Sequence, residues 1–177
     1  MNSHPPINMQ LLRKSRKIQK PGDIFTLQLP DKRYVFGRVI RTDVNLKPLL
    51  SLVTKKKKPD EEPKMLLVYI YKVLSNNKND VPKLDKNELL IPPQVINRLG
   101  WARGYFETIT NQLLQKEDIL SQHCFLMVWE GKTYYFDEEG NRLPNRIEPC
   151  GISGVGNYRI IDDLVSENLG IPLASKE

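Results

Sequence analysis

The chain carries two histidines, His4 and His123, and two cysteines, Cys124 and Cys150. These are the side chains that would ligate a metal, activate a nucleophile or shuttle a proton. Their spacing does not assemble such a site. A zinc or two-metal hydrolase needs several His and carboxylate ligands converging, and the sequence holds no His-x-His or His-Glu-x-x-His arrangement. His123 and Cys124 are adjacent, and adjacent strand residues point to opposite faces, so they make a poor catalytic dyad. No metal and no cofactor is expected. The cysteines read as reduced core residues, with a single pair as the alternative. Gly151-Ile-Ser-Gly-Val-Gly156 precedes a helix, but its spacing is neither the dinucleotide fingerprint nor the P-loop pattern. Ser153 within it lacks a glycine-flanked nucleophile elbow, so the segment reads as a tight loop.

What remains suits recognition better than reaction chemistry: Arg38, Trp101, Arg103, Tyr105, Phe106 and Trp129. Arg, Trp and Tyr dominate binding hot spots because they join large area to directional polar groups. Arg103 lies between Trp101 and Tyr105 beside Gly104, where its guanidinium could stack on a ring. For Trp101, Phe106 and Trp129 the plainer reading is core packing. Arg38 interrupts an apolar row. It faces either a binding partner or an internal carboxylate, with Asp23 and Asp137 the candidates. A pair of that kind fixes conformation more than it adds stability.

The elements that must position these residues begin with a hairpin. Phe25, Leu27 and Leu29 alternate with Thr26 and Gln28, which predicts a strand over Asp23–Leu29. Pro30-Asp31 starts a turn. Tyr34–Arg41 returns with both faces largely apolar, which suits a barrel or sandwich strand. Gly37 sits mid-strand, where glycine marks a bend or the close approach of another backbone. Met65–Tyr71 is apolar, β-branched and aromatic, and reads as a central strand. Leu89–Ile91 is ordered and is expected to stop at Pro92-Pro93. Val95, Ile96 and Leu99 share a helical face, with Gly100 as the glycine ending a short helix. A short strand ends near Ile109. Cys124–Trp129 and Lys132–Asp137 form a second hairpin, followed by a turn through Gly140. Asn157 caps a helix from Tyr158 to Leu169 whose buried stripe is Ile161, Leu164, Val165 and Leu169.

With 177 residues, the chain is long enough for one well-buried domain without staples. Residues 20–172 are expected to form it. Residues 1–19 read as a flexible basic leader, and residues 43–64 as a charged loop insertion. The net charge is +6. Its excess is local, in Arg13, Lys14, Arg16, Lys17 and Lys20, and in Lys55–Lys58. Asp60, Glu61 and Glu62 nearly neutralise the second run, and no aromatics interleave with either run as a single-strand binding platform would need. Nucleic acid is therefore an unlikely partner, although a barrel-type nucleic-acid-binding module stays open as one alternative. No signal peptide and no membrane span is read, which points to the cytoplasm. The expected fold class is α+β: a strongly bent antiparallel sheet or small open β-barrel of about six strands, with a short middle helix and a C-terminal helix packed on it.

The order and spacing of several short motifs resemble the immunity protein 26 family of bacterial polymorphic toxin systems. They are Gly22-Asp23-Ile24-Phe25, Pro30-Asp31 with Arg33-Tyr34 and Phe36-Gly37-Arg38-Val39, Leu67-Val68-Tyr69, Gly100-Trp101 with Gly104, and Tyr135-Phe136-Asp137 through Gly140. The resemblance covers about residues 20 to 170. It implies a non-enzymatic protein that binds a cognate toxin and blocks it stoichiometrically, in a toxin–antitoxin relationship. Arg38, Trp101, Arg103 and Tyr105 are then the recognition candidates. Gly22, Asp23, Gly37, Gly104, Asp137 and Gly140 are the structural motif. Inhibitors of nucleases often present acidic surfaces, whereas this chain is basic. Either its contact face is locally acidic, around residues 137–139 or 162–167, or its toxin is not inhibited by charge mimicry. A small phosphotriesterase-like hydrolase is the other alternative.

Overall fold

A computed structural model of the protein describes residues 6–45, 64–154 and 156–174. The charged insertion expected at 43–64 lies, over residues 46–63, outside the described residues. The first hairpin is β1 (Asp23–Gln28) and β2 (Tyr34–Val44), joined by β3 (Met65–Ser75), β4 (Leu89–Ile96) and β5 (Glu107–Asn111) in a five-stranded antiparallel sheet of order β4-β3-β2-β1-β5. A four-stranded sheet of order β8-β7-β6-β9 contains β6 (Cys124–Trp129), β7 (Lys132–Phe136), β8 (Arg142–Leu143) and β9 (Cys150–Ile152). Two α-helices, α1 (Leu99–Arg103) and α2 (Tyr158–Asn168), and a 3-10 turn at Lys116–Asp118 complete the elements of the described residues.

The α+β class holds, and neither sheet closes on itself. The strands divide between two sheets instead of one sheet of about six: β6 pairs with β7 and, in parallel, with β9, and with no strand of the first sheet. The two-faced apolarity of β2 and β3 follows from their central position. On one face Phe25, Val39, Val68 and Ile70 pack with Trp101, Phe106, Ile161 and Val165 from the helical side. On the other face Ile40, Leu67, Tyr69 and Tyr71 pack with Phe125 of the second sheet and with Leu114, Ile119 and Leu120 of the intervening connector.

Two local expectations are corrected. Pro92-Pro93 does not end a strand; both prolines lie within β4. Proline removes a ladder donor, and is tolerated here because β4 is an edge strand whose register shifts at that point. The short helix also lies later than expected, and Gly100 is inside it. Gly104 is the terminating glycine, at φ 89°, with its N–H donating to the carbonyls of Gly100 and Trp101. Gly100 is needed for packing: a Cβ there would lie 2.2 Å from the Phe106 ring. At the other helix the expected cap is present, with Asn157 accepting from the N–H of Arg159 at 2.8 Å.

The segment read as a flexible leader contacts the rest of the fold at Asn8, Met9, Gln10, Leu12, Ser15 and Gln19. Met9 is buried in the core, and the N–H groups of Asn8 and Met9 donate to the Asp162 carboxylate on α2 at 2.8–3.1 Å. Leu12 and Ser15 donate backbone bonds to Gly104 and Trp101, laying the leader across α1. Burial pushes the Asp162 carboxyl up, against the pull of the Asn8 and Met9 N–H groups. Asp162→Ala leaves the buried Met9 N–H without its acceptor and is expected to cost about 1.5 kcal/mol. Amide exchange at Asn8 and Met9 should accelerate far more than at β3. Unchanged exchange would mean that other contacts hold the leader.

Candidate functional site

Arg38 lies on the central strand β2, where its backbone is flanked by Ile24 of β1 and Tyr69 of β3. Arg38 as a whole is 3% exposed. Nη2 donates to the carbonyl of Gln112 at 2.8 Å, and Nη1 lies 3.4 Å from the Asp118 carboxylate. Nε has no hydrogen-bond partner among the described residues. Of the two readings open for Arg38, the geometry is that of an internal carboxylate pair, but with Asp118 and not with Asp23 or Asp137. Asp23 is occupied at the mouth of β1 by the N–H of Lys20 and the amide of Asn111, both at 2.8 Å. Asp137 closes the turn after β7, accepting from the N–H groups of Glu139 and Asn141, with Gly140 at φ 81°. Gly22 turns the chain into β1 at φ 87°.

The other recognition candidates separate. Trp101 is buried, its ring edge-on to Phe25 at 4.9 Å and to Phe106 at 5.1 Å, with Nε1 donating to Thr108. It is core, as is Phe106. Tyr105 is half-buried and stacks on Tyr158 of α2 at 4.8 Å. Arg103 is exposed and stacks on no ring among the described residues. Trp129 is 44% exposed at the far end of the second sheet.

A buried relay that the sequence did not reveal joins three distant segments. Tyr69 Oη and His123 Nε2 are 2.5 Å apart, and His123 Nδ1 is 3.1 Å from Glu138 Oε1. Each ring nitrogen of His123 thus has a partner, Nδ1 the Glu138 carboxylate and Nε2 the tyrosine hydroxyl. Tyr69 Oη also accepts from the N–H of Leu120 at 3.1 Å. Tyrosine, histidine and carboxylate in a row are the parts of a proton relay. Here, however, Tyr69 is fully buried, and burial pushes its hydroxyl up to about 12. The phenol stays protonated at neutral pH and no solvent reaches it, so the chain works as a clamp between β3, the connector and the turn after β7. Cys124 and Cys150, both buried, are free thiols with Sγ atoms 3.2 Å apart. Among the described residues no group of three or more His, Cys, Asp or Glu is placed to hold a metal ion.

The clamp has a pH signature. Burial alone would raise the Glu138 carboxyl, but the His123 hydrogen bond, a backbone bond and the charges of His123 and Arg41 outweigh it, leaving Glu138 below the usual range. A depressed carboxylate contributes stability that is present above its unfolded value and lost as pH falls through its folded value. Glu138→Gln should therefore cost about 1 kcal/mol at neutral pH and nothing further on acidification. Urea denaturation at neutral pH and at pH below the carboxylate range checks it; parallel pH profiles for the two proteins would contradict it.

The surface charges divide sharply. In the acidic stretch at 137–139, Glu138 and Glu139 both pair with Arg41, at 3.5 and 3.2 Å, and the Glu139 side chain stays 62% exposed. Asp162 is consumed by the leader. By contrast Arg13, Lys14, Arg16, Lys17, Lys20 and Arg103 are exposed and make no ion pair among the described residues. Arg13, Lys14, Arg16, Lys17 and Lys20 line one groove, and Arg103 precedes Gly104, where an added Cβ would lie 3.0 Å from the Lys14 side chain. This surface is basic, not acidic, and the run of cations without an acid was its only trace in the sequence.

No helix among the described residues is long and apolar enough to cross a membrane. Residues 20–128 match the family model described as immunity protein 26. No curated protein and no solved structure matches the chain. The matched span begins just before β1 and ends within β6, so it contains the whole five-stranded sheet, α1, Arg38 and His123.

Proposed function

The chain belongs to the immunity protein 26 family, and we propose that it binds a cognate protein toxin and neutralises it by stoichiometric occlusion of the toxin's active or target-binding surface. The toxin would belong to a polymorphic toxin system, and the encounter would take place in the cytoplasm. The observation that carries this reading is the family match over the five-stranded sheet and α1. The disposition of the ionisable groups supports it. The buried histidine and tyrosine satisfy one another away from solvent, while unpaired arginines and lysines crowd one exposed surface. Exposed charge of one sign steers association with an oppositely charged partner and sets the orientation of docking.

The test is co-expression with any toxin-like protein encoded by a neighbouring gene. The expected result is restored growth and a complex that survives purification. A chain that neither protects nor co-purifies, with the toxin shown to be active on its own, would overturn the reading.

A further inference from the structure

We propose that the groove between residues 13–21 and the outer edge of β5 receives an acidic, extended segment of the toxin, added to the five-stranded sheet as a sixth strand. This rests on the immunity reading and names the contact through which it would act. β5 is the last strand of its sheet, paired to β1 on one side only. Beyond its free edge lies a cavity of about 850 Å³ walled by residues 13–21 and by all five residues of β5. Residues of both parities line it, so the cavity runs along the strand's edge and not over one face of the sheet. Among the described residues no backbone–backbone hydrogen bond joins the two walls; at one end the Asn111 amide donates to the Pro21 carbonyl at 3.1 Å. The free edge of β5 thus offers backbone donors and acceptors to an incoming strand. Five residues at the rise of a strand give about 17 Å of pairing length.

The charge of the groove specifies the occupant. Its two acidic residues are already engaged: Glu107 pairs with Lys78 at 3.1 Å, and Asp23 holds Lys20 N and Asn111. Arg13, Lys14, Arg16, Lys17 and Lys20 on the opposite wall are exposed and unpaired among the described residues. A strand carrying Asp or Glu at alternate positions would meet those cations while its backbone pairs with β5. Single-stranded nucleic acid would also meet the cations, but no aromatic residue lines the groove to stack a base.

The experiment uses the full chain and a fluorescein-labelled peptide of glutamate alternating with valine and threonine. The controls are the same peptide with lysine for glutamate, and a labelled single-stranded oligonucleotide. The acidic peptide should raise its anisotropy on binding and slow amide exchange in Glu107–Asn111. The double variant Arg16→Glu, Lys17→Glu, both residues being exposed, should weaken binding at least about tenfold while its circular dichroism stays unchanged. Absence of binding, binding that leaves β5 exchange unchanged, or equal binding by the double variant would overturn the proposal. So would tighter binding of the oligonucleotide than of the peptide, which would reassign the groove to nucleic acid. The toxin takes no part in this experiment. A chain that neutralises toxin in co-expression but ignores the peptide loses the groove and keeps the immunity reading.

Discussion

Arg38→Met is expected to lower the unfolding free energy by about 3 kcal/mol, measured by urea denaturation. Methionine keeps most of the stem volume, so the loss isolates the guanidinium. Arg38 is 3% exposed, and its bonds reach across to the connector, at the Gln112 and Leu113 carbonyls and the Asp118 carboxylate. Charge-assisted bonds of this kind each exceed a neutral one. Two effects oppose the loss. Burying a guanidinium is costly, and Nε already lacks a partner, so its removal recovers some solvation. Asp118 is 26% exposed, so water can reach it once the arginine is gone. These place the cost at the low end of what breaking a buried pair does. Asp118→Asn should cost only about 1 kcal/mol, because the carbonyl bonds remain. A methionine variant as stable as the parent would mean that desolvation cancels every bond Arg38 makes.

The second large effect comes from one methyl group. Gly37→Ala should cost about 3 kcal/mol, the upper end of the overpacking range. A Cβ at Gly37 would lie 2.4 Å from the tip of the Phe25 ring and 2.8 Å from the Ile70 side chain. Phe25 cannot swing away, since its ring is already set against Trp101 at 4.9 Å and Phe106 at 5.2 Å. The strain must pass into β1 or α1. Thermal melts would measure it, and near-ultraviolet circular dichroism of Trp101 would report the displaced ring. An alanine variant with the parent's midpoint would show that the aromatic group can relax at little cost.

The sequence made Gly37 suspicious but could not say what lay over it. The limit is physical: strand periodicity shows which faces are apolar, not which distant residue covers them. The same limit explains Arg38. Its misfit was legible in the row of Tyr34, Phe36 and Ile40, but Asp118 comes from a connector that no local pattern ties to β2. The burial of both faces of β2 and the central place of β3 were readable because both of their faces are apolar. The cap at Asn157 was readable because capping is local. Pro92-Pro93 misled because proline bars a residue from the middle of a sheet but not from its edge, and edge position is a tertiary fact. Gly100 misled because a helix-ending glycine and a packing glycine look alike in one dimension. The Tyr69–His123–Glu138 clamp and the groove beside β5 were invisible for a further reason: each is made of segments that meet only once the strand order is set.

Neutralisation is tested most directly by a titration of toxin activity with the purified chain. Occlusion predicts that activity falls linearly and reaches its floor at one equivalent, with a stable complex of that ratio on a sizing column. A small fraction of an equivalent silencing the toxin would mean turnover, and toxin left fully active at a large excess would mean no immunity function; either result would contradict stoichiometric neutralisation.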